Sequence, residues 1–125
     1  MVLCAGLALA ACGGSSSTGT WHSVRSVRVT VAQPGLPPPY GEPKTKSFTT
    51  PSEVARATAS LNAFHITRQP LTAPQGCGGG FQIVITVVPK QGRTVSLAGY
   101  RCGGQTTGNI GGNVSGFLSS LGLPG

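Results

Sequence analysis

Apolar positions recur along this chain with two different periods. Val27, Val29 and Val31 alternate with Arg28 and Thr30, a period of two that predicts a half-buried strand. Thr45 to Thr49 is a second, weaker strand candidate. Thr50-Pro51-Ser52-Glu53 predicts a helix start, with Thr50 as cap, Pro51 in the first turn and Glu53 completing a capping box. Val54, Ala57, Leu61 and Phe64 then fall on one helical face. Phe81 to Pro89 and Arg93 to Cys102 read as two strands around Lys90-Gln91-Gly92. That register gathers Phe81, Ile83, Ile85, Val87, Val95 and Leu97 on one face. It leaves Gln82, Thr86, Thr94, Ser96 and Tyr100 on the other, and it sets Cys102 opposite Gly80. Ile110, Val114, Phe117, Leu118 and Leu121 form a last amphipathic stripe, expected to be helical despite Gly111, Gly112 and Gly116. The expected fold is α+β in the order ββαββα, an antiparallel sheet with two helices covering its apolar face. The polar face is then the place to look for a partner.

Ahead of this pattern lies a different one. Val2 to Ala11 is a continuous apolar run, half the roughly 20 residues a spanning helix needs and the length of a signal-peptide core. It ends in Leu9-Ala10-Ala11-Cys12, followed by Gly13-Gly14-Ser15-Ser16-Ser17. This resembles a bacterial lipobox, in which small residues admit the backbone to the processing enzyme and the thiol carries diacylglycerol. Met1-Val2-Leu3 departs from such signals in carrying no Lys or Arg. The expected division is a signal peptide over 1–11, a Gly/Ser tether over 12–20 and one domain over 21–125. Cys12 would be lipidated, and Cys4 would leave with the signal. Cys77 and Cys102 then remain in a compartment where disulfides persist, and a disulfide between them is expected over a metal site. Only His22 and His65 could add ligands, and neither has ligand-like spacing.

Charge narrows the function further. Of 125 residues, 9 are Lys or Arg and only 2 are acids, Glu42 and Glu53, giving a net charge of +7. No Asp exists, so a Ser-His-Asp triad and an EF-hand loop are excluded. Glu53 already has a capping role, so paired-carboxylate hydrolysis is improbable. Gly103-Gly104-Gln105-Thr106-Thr107-Gly108-Asn109-Ile110 has the glycine spacing of a phosphate loop, but Asn109 and Ile110 stand where Lys and Ser/Thr are needed. A glycine-rich connection is the plainer reading. His65, after Phe64 at a helix end, reads as structural. No catalytic residue, metal ligand or cofactor is expected. Arg25, Arg28, Lys44 and Lys46 would cluster on one sheet edge if the first two strands pair. That edge could attract anionic polymers or headgroups, or simply be a solvated face that blunts edge pairing.

Leu9-Ala10-Ala11-Cys12, the helix Ser52-Glu53-Val54-Ala55 to Ser60-Leu61-Asn62-Ala63, and Cys77 and Cys102 flanking a hairpin together resemble small lipoproteins of unknown function from high-GC Gram-positive bacteria. The resemblance implies an α+β domain held by lipid at the extracytoplasmic face of the cell membrane. The expected function is a non-enzymatic binding or accessory module for an envelope protein or anionic polymer, with no nucleic-acid partner. The alternative is a small secreted-type protease inhibitor presenting the Pro-rich loop at 33–43.

Overall fold

The computed structural model describes residues 21–39, 41–72 and 79–124. Eight elements follow one another: β1 (Val24–Ala32), β2 (Lys44–Phe48), α1 (Pro51–Ala63), β3 (Thr67–Thr72), β4 (Phe81–Pro89), β5 (Val95–Cys102), β6 (Gln105–Gly111) and α2 (Val114–Ser120). One six-stranded sheet runs β2-β1-β4-β5-β6-β3, with every neighbouring pair antiparallel. The class is α+β as expected. The order is not: the chain reads ββαββββα, because residues 67–72 and 105–111 are strands. Pro70 hides β3 from a sequence reading, since proline cannot donate to a ladder. Here it lies on an edge strand, within the irregularity between Arg68 and Thr72, where that donor is dispensable. β6 turns back from β5 through Gly103-Gly104, with Cys102 opposite Gln105. The supposed phosphate-loop glycines are therefore hairpin and strand residues. Ile110 belongs to β6, and α2 begins later than its stripe suggested.

Elsewhere the period-two reading fixes the register. Val29, Ile85 and Leu97 line up across β1, β4 and β5, as do Val27, Val87 and Val95. The ladder between β4 and β5 runs from Phe81 opposite Arg101 to Val87 opposite Val95, in the expected register. Both helices bury their stripes in the single core formed on this face. Val54, Ala57 and Leu61 come from α1, and Val114, Phe117 and Leu118 from α2. Burying a Leu or Phe side chain is worth about 1.5–3 kcal/mol, so this one cluster carries the fold. Phe48, Ile66 and Leu123 join it unforeseen.

The helix ends are closed by local chemistry. Thr50 Oγ1 accepts from the Glu53 N–H, and Glu53 Oε1 accepts from the Thr50 N–H at 3.2 Å. At the other end of α1 the Ile66 N–H donates to Leu61 O and the His65 N–H to Asn62 O, a Schellman closure. His65 occupies its left-handed position at φ 55°. α2 ends the same way, through Leu123 to Leu118 and Gly122 to Ser119, with Gly122 at φ 74°. Gly112, at φ 103°, lets the chain enter α2, and a Cβ there would overlap the His65 carbonyl oxygen.

Candidate functional site

The proposed lipidation residue Cys12 lies outside the described residues, as do Cys4 and Cys77. What is described is the point where that segment enters the domain. The Trp21 N–H donates to Asn62 Oδ1 at 2.7 Å, and Asn62 Nδ2 donates back to Trp21 O at 2.9 Å. Trp21 Nε1 donates to Ile66 O at 2.6 Å. Three bonds to the end of α1 thus fix the start of the domain in space. Cys102 is half-buried at the end of β5 and is disulfide-bonded. Its pairing with Cys77 stays a proposal.

Arg25, Arg28, Lys44 and Lys46 do not form one patch, although β1 and β2 do pair. Directly opposed residues of an antiparallel pair share a face. Lys46 opposes Val29 and Lys44 opposes Val31, so both lysines lie on the helix side of the edge strand. Arg28 opposes Ser47 and Thr86 on the outer face. Lys46 Nζ donates to Leu121 O at 2.7 Å, which satisfies a carbonyl at the end of α2. Its role is structural, and an inward lysine also discourages edge-to-edge pairing.

Arg25 has different neighbours. It sits in the irregularity between Val24 and Ser26, where β1 meets the end of β4. Its Nη2 donates to Lys90 O at 3.3 Å, and the Lys90 N–H donates to Ser23 O at 2.8 Å. The end of β4 therefore brings Lys90 beside the start of β1, Arg93 follows in the same β4–β5 turn, and all three cations are exposed. Sequence reasoning missed this cluster because Arg25 and Lys90 are 65 residues apart. Alternation identified β1 and β4 as strands but did not say that they pair. A cleft of about 420 Å³ opens here, its walls including Val24, Arg25, Pro51, Val54 and Lys90. Beside it, a second hollow is lined by His22, Ser23, Lys90 and Gln91.

The remaining candidates have structural occupations. Glu53 is held below the ordinary glutamate range by its hydrogen bonds to the Thr50 side chain and to the Thr50 and Thr49 backbone. His65 is the left-handed closing residue of α1. Among the described residues no three His, Cys, Asp or Glu side chains gather in a way that could hold a metal ion, and no helix is long and apolar enough to cross a membrane. The Pro-rich segment folds into two turns, closed by Leu36 N–H to Gln33 O and Glu42 N–H to Pro39 O. On the outer face Thr30 and Thr45 hydroxyls meet at 3.0 Å, and the same face carries Gln82, Thr86, Ser96 and Thr107. The chain matches no family model, and no curated protein or solved structure is similar to it.

Proposed function

We propose that this chain is a lipid-anchored, non-enzymatic module of a bacterial cell envelope, held through Cys12 at the extracytoplasmic face of the membrane. On this reading residues 1–11 are its signal and Cys77 pairs with Cys102. The observation that supports a binding role is the imbalance of surface charge. Nine cations face two acids, and one of those, Glu53, is engaged in the helix cap. Eight of the nine cations are exposed, so the surplus reaches solvent and favours an anionic partner. The outer face of the sheet adds hydroxyl and amide side chains uncovered by a helix.

The protease-inhibitor alternative receives less support. An inhibitor would present an extended loop, whereas the Leu36 N–H closes back on Gln33 O and the Glu42 N–H on Pro39 O. A polyanion-binding assay tests the main reading. The purified chain should be retained on immobilised polyphosphate, pass through a neutral dextran column, and elute as salt shortens the screening length. Equal behaviour on the two matrices would remove the binding role.

A further inference from the structure

We infer that the end of the domain bearing Arg25, Lys90 and Arg93 is a docking surface for anionic phospholipid headgroups. This inference rests on the lipid-anchor reading and names the partner of that reading: the leaflet itself. Three observations converge on it. The first is where the preceding chain arrives. Trp21 is bonded to Asn62 and Ile66, and its neighbours His22 and Ser23 adjoin Lys90. Cys12 lies nine residues before Trp21, and nine residues reach at most about 30 Å. A lipid on Cys12 therefore tethers the domain by this end.

The second is charge. Arg25 and Lys90 are exposed and meet where β1 adjoins the end of β4, and Arg93, also exposed, lies in the same β4–β5 turn as Lys90. Arg68 follows two residues after Ile66, whose carbonyl Trp21 holds. Glu42 lies beyond the opposite end of β1. Glu53 is the acid nearest the cluster, and its carboxylate is turned back onto Thr49 and Thr50. The third is shape. The cleft of about 420 Å³ is lined by Arg25 and Lys90 together with Val24, Pro51, Val54 and Ala55. Cations beside apolar side chains suit a phosphate joined to a glycerol backbone. Trp21, half-buried beside this end, has the amphipathic ring favoured at membrane interfaces.

A vesicle experiment separates this surface from the lipidation step by supplying the anchor chemically. The chain starting at Cys12, which keeps every described residue, is coupled through that thiol to a maleimide lipid. Trp21 is the only tryptophan, so its quenching by shallow nitroxide-labelled lipids reports the approach of this end. Quenching should be strong on vesicles rich in phosphatidylglycerol and weak on phosphatidylcholine alone. Raising the salt, or combining Arg25→Gln, Lys90→Gln and Arg93→Gln, should reduce it to the phosphatidylcholine level. For the uncoupled chain the triple variant should lower partition onto anionic vesicles by about a hundredfold. Lys44→Gln with Arg101→Gln, at the other end of the sheet, should leave both readouts unchanged. Equal quenching on the two vesicle types, or an equal loss from the Lys44/Arg101 pair, would overturn the inference. A chain that docks when coupled but is not lipidated in cells would defeat the anchor reading alone.

Discussion

Thr50 and Glu53 hold each other at the start of α1, and that exchange makes the cap sensitive to acid. Hydrogen bonds to the ionised form hold the Glu53 pKa below its ordinary value. A depressed folded-state pKa contributes stability that is present above the unfolded value and is lost as pH falls through the folded one. Melting temperature should therefore decline from about pH 5 downward, and Glu53→Gln should flatten that decline, as followed by circular dichroism. His65 gives a prediction of the opposite sign. It sits at φ 55° in a closure that α2 makes with glycine. Relieving the left-handed strain with His65→Gly should raise stability by about 1 kcal/mol, read by urea denaturation. A catalytic histidine would give no such gain without a loss elsewhere. His65 and the capping acid are thus accounted for by backbone requirements, which is why residue chemistry alone pointed to no reaction.

α2 shows how a short element can be indispensable. It spans only Val114–Ser120, yet Val114, Phe117 and Leu118 are fully or almost fully buried. Phe117→Ala should cost about 3–5 kcal/mol, a large fraction of the stability of a domain this size, and thermal unfolding will show it. Gly112→Ala should cost about 1–3 kcal/mol from backbone conformation alone, before counting its overlap with His65 O. The stripe at Val114, Phe117, Leu118 and Leu121 was legible because periodicity records burial directly. Ile110 was assigned to the same helix because it also fits that period, but it belongs to β6. β3 and β6 were illegible for local reasons: one carries Pro70, the other Gly108 and Gly111, and neither alternates. β1, β4 and β5 were legible down to the opposition of Phe81 and Arg101. The site fared worse than the fold. Lys44 and Lys46 turn to the helix side because of β1–β2 register, and Arg25 finds Lys90 because of β1–β4 pairing. Neither pairing is written in either segment by itself. Lys46→Ile, which keeps an apolar side chain on that face and removes the inward charge, should promote association through β2. Light scattering would detect it.

At the scale of the whole molecule, the proposed function turns on a difference between the two ends of the sheet. One end receives the chain at Trp21 and gathers Arg25, Lys90 and Arg93. The other carries the acid Glu42 together with Lys44 and Arg101. A lipidated Cys12 makes that difference useful, since two acyl chains anchor stably where one does not, and nearby cations add about 1 kcal/mol each at an anionic surface. Without the anchor, three such contacts alone would hold the domain only weakly and in a salt-sensitive way. Everything therefore depends on what happens at Cys12. Mass spectrometry of the N-terminal peptide, from protein recovered in the membrane fraction of its own cells, addresses this directly. The account predicts a peptide beginning at Cys12 and bearing a diacylglyceryl thioether. An unmodified Cys12 within an intact 1–12 segment, on protein recovered from the cytosol, would contradict it.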